Sequence, residues 1–297
     1  MLEGKVVLVT GAGNGIGRET ALLAAQKGAK VVVNDLGSTV VGDGQSKGPA
    51  EETVQAIKAA GGEAVASYES VADWHSAHRI VETALDAFGR IDVVINNAGN
   101  VRWGAFAELT EADYRSIVSV HLDGTFFVSR AAAPHFKKQN GGVYVHTSSS
   151  SGTIGHYDQA HYCAAKAGIV GLSKAIALDM KQFNVRSNCV APFAFSRMAG
   201  GKVRSPEQQA ILARLKPAQN AQLSIALAAD AAKEVNGQVF IVRGNEIFLS
   251  HQGLPVRGMH SDGGWTPESI NQRAFPSMSV DFTPVQGFNE YFTWAPL

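Results

Sequence analysis

The sequence predicts an α/β protein: a doubly wound parallel sheet in a single domain, followed by a C-terminal extension. Three observations carry that expectation. Short apolar runs of strand type alternate with longer segments of helical period along most of the chain. The first run, residues 5–10, passes straight into a glycine-rich turn that opens a helix. A length of 297 residues, 45% of them apolar and 18% charged, fits one large globular domain with a substantial core.

Residues 5–10 (Lys-Val-Val-Leu-Val-Thr) read as the first strand, and the Ala-rich residues 18–27 as the helix that Gly28 ends. Residues 31–33 make a second buried strand, closed by Asn34-Asp35. Residues 37–49 are rich in Gly, Ser and Asp without apolar period and read as a long loop. A helix over 51–60 and a strand over 63–68 follow. Next come a helix over 76–88, ended by Gly89, and a strand over 91–95 that runs into Asn96-Asn97-Ala98-Gly99. One long helix is expected over 111–138, a strand over 142–147, a helix over 157–180 and a strand over 185–190. Beyond Pro192, residues 194–216 read as a mobile segment with a helix from Pro206, and 235–244 as a last buried strand. The tail is rich in Pro, Gly and aromatics, with a helix start at Trp265-Thr266-Pro267-Glu268. The catalytic domain is therefore placed at 1–244 and the extension at 245–297, packing on the domain or on a neighbouring subunit.

Composition narrows the function classes. Formal net charge is zero with no long basic run, so no nucleic-acid footprint is present. No apolar stretch approaches the roughly 20 residues of a membrane span. Cys163 and Cys189 give neither a disulfide framework nor a zinc-type spacing. No metal site and a reducing, cytoplasmic-type compartment are expected.

In alternating sheets of this kind, ligands bind beyond the carboxyl ends of the strands. The turn at 11–17, Asp35, the stretch 96–99 and Ser149 all fall at such ends. The turn departs from the strict G-x-G-x-x-G pattern, because Ile16 and Arg18 stand where the third glycine would fall. It matches the looser Thr-Gly-x-x-x-Gly-x-Gly, with Gly11, Gly15 and Gly17. Backbone that must approach a pyrophosphate and present amides at a helix N-terminus needs such glycines. Asp35, at the end of the second strand, accepts hydrogen bonds from ribose hydroxyls and repels a 2′-phosphate. Asn14 adds no cation for such a phosphate. NAD is thus expected over NADP; the competing reading of Asp35 is a simple turn cap.

Tyr162 and Lys166 are spaced i, i+4, so on a helix the ammonium stands beside the phenol. Free tyrosine, with a pKa of about 10, needs roughly 4 kcal/mol of preferential phenolate stabilisation to titrate near neutrality. A neighbouring cation supplies part of that in a partly dry site.

Residues 10–17, Asn96-Asn97-Ala98-Gly99, Ser149 and Tyr162-x-x-x-Lys166 together resemble the short-chain dehydrogenase/reductase superfamily, over residues 3–244. Val33-Asn34-Asp35-Leu36-Gly37, residues 84–92 and Val120-His121-Leu122-Asp123-Gly124-Thr125-Phe126 resemble one branch of it. That branch contains the (3R)-hydroxyacyl-CoA dehydrogenase domain of peroxisomal multifunctional β-oxidation enzymes. It also contains bacterial single-domain dehydrogenases of steroid, terpene and other alicyclic alcohols. The resemblance implies a Rossmann-type sheet and hydride transfer between a carbinol carbon and the nicotinamide of NAD. It implies that Tyr162 is the acid/base, that Lys166 lowers its pKa and binds the nicotinamide ribose, and that Ser149 holds the substrate oxygen. It implies cofactor contacts from Gly11, Gly13, Asn14, Gly15, Ile16, Gly17, Asp35, Ser70, Val71, Asn97, Ala98, Gly99, Tyr162, Lys166, Pro192 and Ser196. A homotetramer or homodimer is also implied.

Several positions depart from the superfamily. His121 stands where Asn is usual; its main-chain carbonyl serves the proton relay from Lys166 whatever the side chain, and titration of the imidazole itself is the second reading. Pro192-Phe193 replaces Pro-Gly. Val101, Trp103, His156, Tyr157, Phe193 and Phe195 flank the expected site and point to an apolar, bulky substrate, or else build core or a subunit contact. His146, His156 and His161 read as packing or solvated residues, and Cys163 as a small packing residue. Arg197, Lys202, Arg204, Arg214 and Lys216 either meet coenzyme A phosphates or form a solvated face. The first expectation is an NAD-dependent dehydrogenase of a secondary alcohol, with (3R)-3-hydroxyacyl-CoA as first substrate. The alternatives are a steroid, terpene or aryl-alkyl alcohol dehydrogenase and, in another class, a catalytically idle dinucleotide sensor.

Overall fold

The computed structural model describes residues 1–193 and 205–297. The element order is β1 (Val6–Thr10), α1 (Gly15–Gln26), β2 (Lys30–Asn34), α2 (Gly48–Ala59), β3 (Glu63–Ser67), α3 (Trp74–Phe88) and β4 (Val93–Asn96). Then come α4 (Glu111–Val118), α5 (Gly124–Gln139), β5 (Gly142–Thr147), α6 (Ser150–Thr153), α7 (Ala160–Asp179) and β6 (Val185–Phe193). Beyond the undescribed residues lie α8 (Pro206–Ala213), α9 (Pro217–Ala228), β7 (Val239–Arg243) and β8 (Glu246–Leu249). The tail adds α10 (Pro267–Ser269), α11 (Phe275–Met278) and α12 (Phe288–Tyr291).

The strands form one sheet of order β3-β2-β1-β4-β5-β6-β7-β8, parallel except for β8. Side-chain alternation along each strand feeds two cores. Val7, Val9, Val31 and Val33 pack with Ala21 and Ala24 of α1, Val54 and Ile57 of α2, and Ile225 of α9. Val6, Leu8, Val32 and Val94 face the other way, onto Ile80 and Val81 of α3 and Val128 and Phe136 of α5. A strand buried on both faces reads as a continuous apolar run, which is why β1 and β2 stand out in the sequence. Each fully buried Val or Leu contributes about 1.5–3 kcal/mol. The strand order reverses between β1 and β4, so the crevice for a ligand opens beyond their carboxyl ends.

The expected long helix over 111–138 is interrupted. Residues Ser119–Asp123 form a π turn between α4 and α5, with the Gly124 amide donating to the Ser119 carbonyl. Such a one-residue excess lets the backbone bulge where packing demands it, and sequence period does not report it. The expected loop over 37–49 ends earlier, because Pro49 seeds the first turn of α2. β6 runs on through Pro192 and Phe193, which pair with Val242 and Arg243 of β7. Helix α9 and strand β8 were not expected from the sequence.

Candidate active site

The glycine turn is held open by close approaches. A Cβ at Gly17 would lie 2.1 Å from the Gly11 carbonyl oxygen, so no side chain fits there. At Gly15, by contrast, φ is +54° and a Cβ would meet nothing within 4 Å, so it is the left-handed backbone rather than crowding that calls for glycine. Asp35 leaves the end of β2 toward this turn, and its carboxylate accepts from the amides of Gly13 and Gly37, both at 2.7 Å. Asn97, at the end of β4, donates its side-chain amide to the carbonyls of Thr10 and Gly11, both at 3.0 Å. The Thr10 hydroxyl accepts from the amides of Asn97 and Ala98.

Asp35, Asn97 and Ala98 wall a cavity of about 410 Å³ with Gly11, Asn14, Gly15, Ile16, Ser70, Val71 and Gly99, whereas Gly13 and Gly17 are not among its lining residues. The sequence reading missed Thr39, Val40, Gly42 and Glu69, which also line the wall, as do Asn34, Leu36, Ser38, Asn100 and Val120. Val40 reaches it because its carbonyl accepts from Val101 at 2.9 Å, so the Gly-rich loop folds back onto the cavity. The only signal for this was the position of that loop directly after Asp35. Among the described residues, no Lys or Arg side chain lines the wall. A narrow glycine turn at a helix N-terminus, open space at Gly15 and a carboxylate beside it fit the adenosine and pyrophosphate half of a dinucleotide.

A second group of residues forms at the ends of β5 and α7. Ser149, which caps α6, accepts from the Ser151 amide at 3.1 Å and hydrogen-bonds Tyr162. Gly152 lets α6 close onto α7: a Cβ there would lie 2.6 Å from the Lys166 carbonyl carbon. The Lys166 ammonium is buried, 5.6 Å from the centroid of the Tyr162 ring, and donates to the Thr147 carbonyl at 2.5 Å. Ser149, Tyr162 and Lys166 are therefore brought together.

The proton affinities depart from the simple expectation for this pair. Burial pushes Tyr162 up to about 12, opposed by its hydrogen bond with Ser149. Burial likewise pulls Lys166 down to about 7. Two buried groups each resist ionising, so Lys166 by itself does not bring the phenol to neutrality.

His121 sits in the π turn, with its ring 5.2 Å from that of Tyr162 at an interplanar angle of 86°. It is buried against Gly99, where a Cβ would lie 2.4 Å from the ring. Its Nε2 lies 2.9 Å from the Asn100 carbonyl, and Nδ1 has no partner among the described residues. Burial and the nearby Lys166 charge hold its pKa well below the ordinary value. The imidazole is thus neutral near pH 7, against the reading in which it titrates in the relay. Its main-chain carbonyl accepts from the Thr125 hydroxyl at 2.6 Å. His146 is also buried and neutral, pulled down to about 3, and bridges Asn96 and Ser187. His161 is buried with neither ring nitrogen partnered among the described residues.

The residues expected around the substrate are spread over several loops. Phe193 ends β6 and His156 follows α6, and both meet Phe288 of α12. Trp103 packs edge-on against His156 at 5.4 Å. Tyr157 is exposed and donates to Glu290 at 2.8 Å. Val101 is buried, and its amide donates to the Val40 carbonyl of the Gly-rich loop. Phe195, Ser196, Arg197, Lys202 and Arg204 lie outside the described residues. Arg214 donates to the Pro296 carbonyl at 3.3 Å. Cys163 is half-buried, its Sγ 3.8 Å from the His156 carbonyl. Among the described residues no helix is long and apolar enough to cross a membrane.

Residues 5–208 match the family described as short chain dehydrogenase. Over 240 residues the chain is 45% identical to peroxisomal multifunctional enzyme type 2 of Mus musculus, which covers 81% of this chain and 32% of that protein. The Drosophila melanogaster protein of the same name is 48% identical over 199 residues, 67% of this chain and 33% of that one. The chain thus spans about a third of the length of these curated relatives. A crystal structure of a short chain dehydrogenase from Mycobacterium avium has a TM-score of 0.83 and 36% identity, covering 96% of this chain and 98% of its own. Such enzymes use a nicotinamide dinucleotide, and the glycine turn with the cavity beside it fits one half of such a group. This chain belongs to the short chain dehydrogenase/reductase family of oxidoreductases.

Proposed function

We propose that the protein is an NAD-dependent dehydrogenase that interconverts a secondary alcohol and a ketone. The observation that carries this reading is the meeting of Tyr162 with Ser149 and Lys166 at the same sheet edge as the cavity beside Asp35. When bound, the dinucleotide supplies the hydride acceptor and, in its oxidised form, a positive charge beside the phenol. The Ser149 hydroxyl holds the substrate oxygen. The Tyr162 oxygen takes the carbinol proton in oxidation and returns it in reduction. Lys166 holds the ribose and stabilises the phenolate, and the main-chain carbonyl of His121 in the π turn would hold a water that carries the proton toward solvent. The Asp35 carboxylate, in a wall without Lys or Arg among the described residues, favours NAD over NADP. Gly13, Asn14, Ile16 and Gly17 would cradle the pyrophosphate, and Pro192 the nicotinamide end.

For the substrate, the resemblance in residues 33–37, 84–92 and 120–126 favours (3R)-3-hydroxyacyl-CoA. A specific observation favours a second reading, a CoA-free alicyclic alcohol: Trp103, His156 and Phe193 make an aromatic surface beside the site. Exposed Leu254, Val256, Val280, Phe282 and Val285 in the tail support burial against another subunit, in a homotetramer or homodimer. Cys163 and Cys189 are free thiols, which suits a reducing compartment, cytoplasmic in this reading. The test is reduction of NAD, followed by absorbance, with a panel of 3-hydroxyacyl-CoA and alicyclic alcohols. Turnover of thioesters supports the first substrate, and turnover of CoA-free alcohols alone supports the second. Cofactor binding without turnover of any alcohol refutes the dehydrogenase reading in favour of a sensor.

A further inference from the structure

The last dozen residues do more than end the chain. The Phe288 amide donates to the Gly155 carbonyl at 3.1 Å, and its ring packs on His156 at 4.7 Å and on Phe193 at 5.0 Å. The Tyr157 hydroxyl donates to Glu290 Oε1 at 2.8 Å, while the Gly287 amide donates to Oε2 of the same carboxylate at 2.7 Å. Below this, Phe292 is buried with Ala191 and Ile241, and stacks edge-on against Phe193 at 5.2 Å. Trp294 donates to Glu246 at 2.7 Å, and Glu246 pairs with Arg243 at 2.9 Å. The Asn245 amide donates to the Leu297 carbonyl at 3.0 Å, which returns the chain end to the β7–β8 turn.

The two segments that this strap holds are the ones that flank the reacting groups. Residues 154–157 belong to the connection, 154–159, between α6, capped by Ser149, and the helix that carries Tyr162 and Lys166. Phe193 directly follows Pro192 at the end of β6. The anchoring is deep at Phe292 and Arg243, with Trp294 exposed above them, whereas the Phe288 ring is left partly open between His156 and Phe193.

We infer that the C-terminal strap is a wall of the substrate site, and that Phe288, latched by Tyr157–Glu290, sets the size of the apolar group admitted beside the carbinol. This rests on the dehydrogenase reading given above. The shared substrate chemistry is a hydrocarbon skeleton next to a secondary hydroxyl, carried by an acyl thioester or by an alicyclic ring. An aromatic ring whose backbone is pinned by the Gly155 and Glu290 hydrogen bonds discriminates by volume, since a pocket that cannot collapse rejects what it cannot hold.

The experiment compares the parent with Phe288→Ala, Phe288→Leu and Tyr157→Phe on two pairs of alcohols. One pair is the 3-hydroxybutanoyl and 3-hydroxydecanoyl thioesters of coenzyme A; the other is cyclohexanol and 2-decalol. Phe288→Ala is expected to shift the bulky-to-compact ratio of kcat/KM about tenfold or more toward the bulky member, mainly through KM. The dissociation constant for NAD stays unchanged, which separates this from general loosening. Phe288→Leu restores most of the parent ratio, and Tyr157→Phe shifts it in the same direction by about two- to threefold. Which pair responds identifies the carrier of the apolar group. An unchanged ratio in Phe288→Ala and in Tyr157→Phe overturns the inference; Tyr157 is exposed, so that variant folds even where the first does not. A parent that oxidises none of the four refutes the dehydrogenase reading separately. The corresponding ketones are then titrated by calorimetry with NADH present. Binding that differs between parent and Phe288→Ala sustains the wall; equal binding, or none by the parent, sinks it.

Discussion

Lys166 is charged in the unfolded chain at neutral pH and sits in the fold where charge is costly. Its pKa falls from an ordinary 10.5 to about 7 through burial. A lysine with a lowered folded pKa binds fewer protons in the native than in the unfolded state across this window. Stability therefore rises as pH increases from about 7 toward 10.5. Between pH 7 and pH 9 the site alone contributes about 2 kcal/mol of that rise, an upper figure because water and relaxation reduce it. Lys166→Met keeps length and bulk and removes the titration. The assay is equilibrium urea unfolding of both proteins without cofactor, at several pH values in this range. The parent is expected to gain about 2 kcal/mol relative to Lys166→Met between pH 7 and pH 9, all other titrations cancelling in the difference. A difference that stays flat with pH would refute the reasoning, because Lys166 would then keep an ordinary pKa in the fold.

Three further outcomes are expected. His121→Asn retains most of the alcohol-oxidising activity, whereas Lys166→Ala loses about 10²-fold or more; an equal collapse in steady-state rate would show that the imidazole itself is required. Asp35→Ala weakens NAD binding about tenfold and narrows the preference over NADP, read from the two dissociation constants; it also frees the Gly13 and Gly37 amides, so some loss of order in the turn accompanies it. Gly17→Ala drives a Cβ to 2.1 Å from backbone oxygen, so it abolishes cofactor binding and lowers stability by about 2 kcal/mol or more; a soluble, NAD-binding variant of unchanged melting temperature would contradict the turn geometry.

Much of the fold was legible because it rests on local pattern. Val7, Val9, Val31 and Val33 announce strands buried on both faces, and the glycines after Thr10 announce a helix start with backbone exposed. Helix α9 also carried a signal, Pro217 at its first turn ahead of an alanine-rich run, which the sequence reading passed over. Other features depend on contacts between distant residues. The π turn at Ser119–Asp123 exists where the His121 ring lies on Gly99, and nothing in the period of 111–138 encodes that contact. The proton affinities of Tyr162 and Lys166 likewise need burial, which spacing cannot supply; i, i+4 geometry gives proximity and says nothing about desolvation. The tail was hardest to read, since Phe288 and Phe292 find their partners nearly a hundred residues or more away in Phe193 and His156.

The central claim is that the Tyr162 hydroxyl carries the proton of an alcohol oxidation, with Ser149 and Lys166 on either side. It is tested most directly by the rate of NAD reduction in Tyr162→Phe, on any alcohol that the parent oxidises, beside the NAD dissociation constant of both proteins. The account predicts a fall of about 10²- to 10⁴-fold in rate with NAD binding unchanged. A variant that oxidises the alcohol at the parental rate would contradict it.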